Sequence, residues 1–363
     1  MSASSQTANP AAHRAGSAQP LRCWAVSDGR RGMENQALGL AEALGRRRAL
    51  DITIKRVSLA PPYRWLPYPA LGALPLDPAA VLDRDSDPVA PPWPDVLIGC
   101  GRQSVAVSLA VRRLSAGHTL TVQTQDPRIA PACFDLVFPA LHDGLTGANV
   151  TPLLGAPHRV DGPRLAAEGT RLAGLFRDLP RPLACVLIGG DSRHLKLAPP
   201  QFEAILEALK ALARSGHGLA VSASRRTRPA QAARLRTELE PLGAYVWNGE
   251  GDNPYFAMLA AADHILVTAE SINMLTEAAA TGKPVHVLPL KGHAAKFDRF
   301  HADLRARGIA RPFSGRLETW NYTPLAETDR AAGIIEAALA ARARGRSAAP
   351  DHHHQSRRPT SRG

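Results

Sequence analysis

Short apolar runs, turns and helix-spaced segments follow one another along this chain, and the series starts afresh after its midpoint. Leu21–Ser27 (LRCWAVS) reads as a buried strand, residues 28–32 as a turn, and residues 34–44 as a helix with Leu38, Ala41 and Leu44 on one stripe. Residues 52–57, 95–99 and 120–123 and Leu136–Phe138 read as further strands, with a turn over 101–104 and a helix over 105–114. The rhythm weakens over 143–182, apart from a helix-like stretch at 165–179, and then resumes. The second series has strands at 184–188, 218–222 and 244–247, His264–Thr268 and Val285–Leu288. Helices are expected between them at 200–214, 231–239, 254–261 and 272–281, the last closed by Gly282. Strands that alternate with helices require crossovers, and crossovers produce a parallel sheet with helices on its faces. The predicted fold class is therefore α/β, with two Rossmann-like domains facing each other across a cleft.

The expected boundaries follow. Residues 1–20 form a disordered tail, 21–160 one Rossmann-like domain and 180–325 the second. Residues 326–342 form a final helix long enough to pack back across the junction, and 343–363 a disordered basic tail. The ten prolines between 61 and 94 exclude long helices there, while Tyr63, Trp65, Leu66, Tyr68 and Trp93 give that segment the means to pack or bind.

Composition narrows the function classes. With 45% hydrophobic residues the chain can bury a core, so wholesale disorder is excluded. The formal charge is +12. Residues 342–363 carry +5 of it and residues 1–20 carry +1, leaving +6 on the body. That surplus suits anionic small molecules or an anionic membrane surface and does not by itself imply nucleic acid. No stretch approaches the ~18 apolar residues needed to cross a bilayer. The first twenty residues lack an apolar segment, so no secretory signal is expected. Cys23, Cys100, Cys133 and Cys185 form no CxxC pair, which disfavours a zinc ribbon or a disulfide scaffold. The expected setting is cytoplasmic, with peripheral contact at an anionic inner-membrane surface and no metal.

Open parallel sheets bind ligands at the carboxyl ends of their strands. The first series offers Asp28 and Gly29, then Arg102, then Gln125 and Asp126. The second offers Gly189, Gly190 and Ser192, then Arg225 and Arg226, then Thr268, Glu270 and Ser271. GxGxxG is missing after the first strand, and Gly282-Lys283 is followed by proline, so hydride transfer and P-loop phosphotransfer are disfavoured. Ser271 stands where a helix N-cap would be, and a helix start attracts phosphate. Asn273 and Glu277 share a face of that helix, with Glu277 placed to accept ribose hydroxyls. A capping serine above an exposed carboxylate accounts for the same residues. Arg225 and Arg226 suit phosphate, or a solvated loop. Gly189-Gly190 permits close backbone approach of a ligand, or a plain turn. Asp28, Glu34 and the His142-Asp143 pair are candidate general bases, each with a structural alternative. Lys291, with His293 and Lys296, suits diphosphate or an acceptor, or a solvated basic loop.

Residues 252–263 lead into Val267-Thr268-Ala269-Glu270-Ser271-Ile272-Asn273-Met274-Leu275-Thr276-Glu277-Ala278 and then Gly282-Lys283-Pro284. This resembles the donor-binding half of GT-B glycosyltransferases. The resemblance implies a ribose-binding role for Glu277 and a diphosphate beside Thr268, Glu270 and Ser271. Nearly all of residues 21–320 is similar to the "elongated mitochondria" family of mitochondrial-fission factors and their bacterial relatives. The marks are Ser27-Asp28-Gly29 with Glu34-Asn35-Gln36, Cys100-Gly101-Arg102, Gln125-Asp126-Pro127, Gly189-Gly190, Ser224-Arg225-Arg226-Thr227 and Asp252-Asn253-Pro254-Tyr255. For plant members the family implies recruitment of a dynamin-related protein at the mitochondrial outer membrane.

The leading expectation is a GT-B-like glycosyltransferase using a UDP- or GDP-linked sugar and no further cofactor. The donor would lie on the second domain, against Gly189, Gly190, Ser192, Arg225, Arg226, Thr268, Glu270, Ser271, Asn273 and Glu277. A lipid-linked or other acceptor would enter by the first domain, near Gly29, Arg102, Gln125, Asp126 and Lys291, with Asp28 or Glu34 as base. A non-catalytic scaffold for a protein or membrane partner is the alternative, and a sugar-nucleotide epimerase a third.

Overall fold

In the computed structural model, residues 19–73 and 77–347 are described. The expected tails over 1–18 and 348–363 lie outside the described residues. The first series runs β1 (Leu21–Ser27), α1 (Arg31–Gly45), β2 (Leu50–Arg56), α2 (Tyr68–Ala73), α3 (Pro78–Val81), β3 (Val96–Cys100), α4 (Arg102–Leu114), β4 (Leu120–Thr124) and β5 (Leu136–Phe138). These strands form one parallel sheet in the order β2-β1-β3-β4-β5. β3 (VLIGC) and β4 (LTVQT) are buried along their whole length, as central strands covered on both faces must be. β2 (LDITIKR) lies at the edge and alternates between half-buried and exposed positions.

A connection containing α5 (Gly162–Arg171) leads to the second series. This comprises β6 (Leu183–Ile188), β7 (Leu195–Lys196), α6 (Pro199–Arg214), β8 (Gly218–Ala223), α7 (Pro229–Leu239), β9 (Tyr245–Trp247) and α8 (Tyr255–Ala261). It continues with β10 (His264–Thr268), α9 (Ile272–Ala279), β11 (Val285–Leu288), β12 (Lys291–Gly292), α10 (Ala295–Ala306), β13 (Ala310–Pro312) and α11 (Glu327–Ser347). The sheet order is β13-β11-β10-β6-β8-β9, again all parallel. Numbered within its own half this is the 3-2-1-4-5-6 arrangement of a Rossmann domain, read from the far edge. β7 and β12 pair separately as a short antiparallel ribbon.

Each half has its own core. Val96, Ile98, Leu120 and Val122 pack with Leu40 and Leu44 of α1 in the first, and Ala184, Val186 and Leu219 with Phe202, Leu206 and Leu209 of α6 in the second. Each such side chain, fully buried, contributes ~1.5–3 kcal/mol. The final helix does pack back on the first half: Ala331, Ala332, Ile335 and Leu339 of α11 join the α1 core. It runs to Ser347, so residues 343–347 are helix, not the start of a tail. α4 begins at Arg102, because the turn is completed at Gly101. α9 ends at Ala279 with Ala280 as its C-cap, two residues before Gly282.

Candidate functional site

The carboxyl ends of β1 and β10 bring two helix starts face to face. α1 begins four residues after β1 ends and α9 four residues after β10 ends, each at a point where neighbouring crossovers diverge. They approach closely enough that a methyl group added at Gly32 would lie 3.1 Å from Asn273 Nδ2. Gln36, one turn further along α1, donates through Nε2 to Asn273 Oδ1 at 3.3 Å. Gln125, following β4, donates to Gln36 Oε1 at 3.0 Å. The cleft is therefore floored by carboxamides drawn from both halves. No side chain caps α1 at Arg30, so its first N–H groups remain available to a ligand. α9 is capped internally, since Ser271 Oγ accepts the Met274 N–H at 3.4 Å.

The first-domain candidates separate. Asp28 closes an Asx turn, accepting the Arg30 N–H at 3.1 Å and the Arg30 guanidinium at 3.1 Å, and a Cβ at the neighbouring Gly29 would lie 3.4 Å from the Arg56 side chain. Glu34 points to the edge strand and binds Arg56 through both oxygens, at 2.6 and 3.2 Å, so its carboxylate is already engaged. Arg102 is turned away from the cleft. Its guanidinium stacks over Tyr68 at 4.3 Å and donates to the Leu66 carbonyl, holding the proline-rich segment. Asp126 accepts the Arg128 N–H at 2.8 Å in a local turn. His142 is buried where α10 meets the first half, its ring 5.9 Å from Phe300.

In the second half, Glu270 changes the meaning of its neighbours. Its side chain is 0% exposed and accepts the Gly190 N–H at 2.8 Å, with Arg226 Nη2 at 3.2 Å. A Cβ at Gly189 would meet Glu270 Oε1 at 1.6 Å, and one at Gly190 would meet the Arg226 carbonyl at 2.0 Å. Neither glycine has room for a Cβ, so internal packing by itself requires both. Burial pushes the Glu270 carboxyl up, against the pull of the Gly190 N–H. Thr268 Oγ1 accepts the Gly189 N–H at 2.8 Å, and Ser192 Oγ closes the 192–195 turn on the Leu195 N–H at 3.0 Å. Arg225 and Lys291 are exposed, the latter on the ribbon opposite Lys196.

Glu277 is 7% exposed and receives the Tyr255 hydroxyl. Burial raises its carboxyl to about 7, the Tyr255 hydrogen bond working the other way. Glu277 sits one turn beyond Asn273 on α9, whose start lies against Gly32 of α1. Beside that start a pocket of about 240 Å³ is lined by Leu195, Ala269, Pro289, Phe297 and His301. His301 Nε2 donates to the Ala269 carbonyl at 2.8 Å, which fixes its tautomer. A larger hollow of about 840 Å³ lies by Pro182, His264 and Pro284, at the amino ends of the strands and away from the cleft. Among the described residues no three His, Cys, Asp or Glu side chains gather as metal ligands, and no helix is long and apolar enough to cross a membrane.

A family model described as Mitochondrial fission ELM1 matches residues 31–339. The chain belongs to this family. The "Mitochondrial fission protein ELM1" of Arabidopsis thaliana is 30% identical over 279 residues, 69% of this chain. That match spans 65% of the plant protein's length. Among solved structures, the UDP-GlcNAc 2-epimerase of Neisseria meningitidis bound to UDP-GlcNAc gives a TM-score of 0.53 at 12% identity, over 88% of this chain and 100% of that one. The UDP-GlcNAc 2-epimerase of Methanocaldococcus jannaschii gives 0.52 at 10% identity, over 88% and 99%. These likenesses establish the GT-B-like fold of two Rossmann-like domains across a cleft, and the fold alone.

Sequence reasoning named Gln36 and Tyr255 as ELM1-family marks and gave neither a role. The signal for Gln36 was its place one turn into the helix after the first strand. Nothing in spacing pairs Tyr255 with Glu277 across 22 residues.

Proposed function

We propose that the cleft binds a nucleoside diphosphate-sugar, UDP- or GDP-linked, and that the protein transfers the sugar to a hydroxyl acceptor. The observation that carries this reading is the approach of the uncapped α1 start to the Asn273 amide of α9, with the buried Glu277 carboxyl one turn further along that helix. Backbone N–H groups at a helix start and a primary amide suit phosphoryl oxygens. An ionised carboxylate is acceptor-only and takes ribose hydroxyls, which would replace the Tyr255 hydroxyl on Glu277. The UDP-sugar carried by the epimerase of the same fold supports a ligand of that class. With Glu270 occupying the Gly190 and Arg226 donors, the diphosphate sits toward α1 rather than in the glycine corner.

In the inverting transfer, Asp28 leaves Arg30 and takes the acceptor hydroxyl proton. The acceptor oxygen bonds to the anomeric carbon as the carbon–phosphate oxygen bond breaks. The nucleoside diphosphate leaves with that electron pair, its charge met by the helix start. A lipid-linked acceptor entering by the proline-rich segment is supported by Trp65, 69% exposed with Arg64 at 5.1 Å from its ring. The proposed reading has the protein act in the cytoplasm, in peripheral contact with an anionic membrane.

A second reading, a non-catalytic scaffold of the same fold, is favoured by the internal occupation of Glu270 and Glu277. Calorimetric titration with UDP- and GDP-sugars, before and after Glu277→Ala, tests the binding. Loss of binding in the variant supports the nucleotide reading; no binding by the unaltered protein, or binding the variant leaves intact, refutes it. Sugar transfer lost in Asp28→Asn with nucleotide binding retained separates transferase from scaffold, and product formed without any acceptor identifies an epimerase.

A further inference from the structure

The carboxamides at the cleft floor form a chain with a fixed direction. Gln125 Nε2 lies 3.4 Å from Met33 Sδ and 3.0 Å from Gln36 Oε1. A thioether only accepts, so the Gln125 group facing it is the NH2. Gln36 therefore presents its oxygen to Gln125, with the Cys100 thiol also 3.5 Å from that oxygen, and its NH2 to Asn273. Asn273 Oδ1 is consumed by this contact, and Nδ2 is left beside Gly32 at the α1 start. Gln36 is 4% exposed, so water does not compete for its amide. Gln125 adopts the left-handed region, φ 72°, which a residue with a side chain rarely occupies, and from it reaches Gln36.

The geometry points to Gln36 as a positioning residue: across the cleft it fixes the Asn273 carboxamide so that Nδ2, and not Oδ1, is offered to the phosphoryl oxygens of the nucleotide. This rests on the nucleotide reading above. The hold exists only while the two halves are closed on each other, because Gln36 and Asn273 belong to different halves. Gly32 has the same logic, since a side chain there would push the Asn273 amide out of place. Gln36 itself touches no ligand in this assignment; it acts through Asn273.

The test is UDP binding by calorimetry in Gln36→Ala, Gln36→Glu, Asn273→Ala and the Gln36→Ala/Asn273→Ala pair. Loss of one such neutral hydrogen bond corresponds to roughly a tenfold change, so Gln36→Ala is expected to raise the UDP dissociation constant about tenfold. Gln36→Glu keeps the volume but offers Asn273 only acceptors, turning its oxygen toward the nucleotide, and is expected to weaken binding at least as much. Adding Gln36→Ala to Asn273→Ala is expected to change binding less than about twofold. Unchanged affinity in Gln36→Glu, or independent losses that multiply in the double variant, overturn the assignment. Where Gln36→Ala does not fold, Gln125→Ala takes its place, with a rise of about threefold expected and no rise refuting. If the unaltered protein binds neither UDP nor GDP, the nucleotide reading fails on its own. Urea unfolding of the same proteins then decides the cross-cleft hold. Non-additivity of about threefold or more in the unfolding constant sustains it, and additivity refutes it.

Discussion

Glu277 makes the sharpest prediction, because its stability effect and its proposed binding role have opposite signs in pH. Burial raises its carboxyl from 4.5 to about 7 in the folded protein. Between those values the folded chain holds a proton that the unfolded chain has released. The stabilisation is complete below 4.5 and is lost as pH rises through 7. A displacement of about 2.5 units corresponds to ~3 kcal/mol when fully developed, of which ~2.5 kcal/mol falls between pH 5 and pH 8. Glu277→Gln removes the titration and leaves an amide oxygen for the Tyr255 hydroxyl. His158 and His286, both lowered to about 4 by burial, titrate in the opposite sense in both proteins, so only the difference between them is diagnostic. Urea unfolding at pH 5, 6, 7 and 8 should show the unaltered protein losing ~2.5 kcal/mol relative to the variant. Only the ionised carboxylate accepts two ribose hydroxyls, so UDP affinity should rise over the same interval. A stability difference that stays flat from pH 5 to pH 8 would refute the burial argument. Affinity that falls through pH 7 would refute the ribose role.

Three further perturbations test how the remaining residues are used. Gly190→Ala would set a methyl 2.0 Å from the Arg226 backbone carbonyl, where neither partner is flexible. It should cost ~2–3 kcal/mol and lower the melting temperature by at least ~5 °C, and a drop under about 2 °C would contradict the packing role. Glu34→Gln breaks a pair whose Arg56 partner is largely exposed, so urea unfolding should show a loss below ~1 kcal/mol that shrinks in 1 M salt. Arg102→Ala releases the Leu66 carbonyl and the Tyr68 ring, and limited proteolysis should then cut residues 61–73 several-fold faster. An unchanged cutting rate would show that the segment holds itself.

Much of the fold was legible because parallel strands covered on both faces are continuous apolar runs between turn residues. The bounds expected for Leu21–Ser27, Leu136–Phe138, His264–Thr268 and Val285–Leu288 are those observed. Other strands shift by one or two residues, as β2 does from the expected 52–57 to Leu50–Arg56, and the larger differences fall at helix ends, where a cap depends on one residue's backbone. α9 ends early at Ala279, where the Thr281 hydroxyl donates to the Ala278 carbonyl, and α11 overruns residue 342 to reach Ser347. The site was less legible. Spacing places Gly190, Arg226, Thr268, Glu270 and Glu277 at the carboxyl ends of strands or on the helix after one, but it does not say which of them satisfy each other. Glu270 finds Gly190 across 80 positions and Gln36 finds Asn273 across 237, pairings that only the tertiary structure makes. Arg102 shows the same limit, since its partners Leu66 and Tyr68 lie in the proline-rich segment. A guanidinium after a strand suits an anionic ligand, and equally a neutral carbonyl and an aromatic ring of its own chain, and spacing does not separate the two.

The charges of the cleft therefore carry less of its function than their number implies. Arg226 and Arg228 are matched by Glu270 and Asp191, Arg56 by Glu34, and Arg30 by Asp28. The groups proposed to meet the ligand are neutral: backbone N–H groups at the α1 start and the Asn273 amide, which Gln36 and Gln125 orient without touching the ligand. Neutral donors cost little to bury when paired, and they discriminate by direction, accepting an oxygen only where their hydrogens point. In the proposed reading a cleft built this way would recognise a diphosphate by geometry once the halves have closed, whereas a cationic one would attract any anion while open. On that reading the Asn273 carboxamide, oriented from the opposite domain by Gln36, decides how a diphosphate sits against the α1 start.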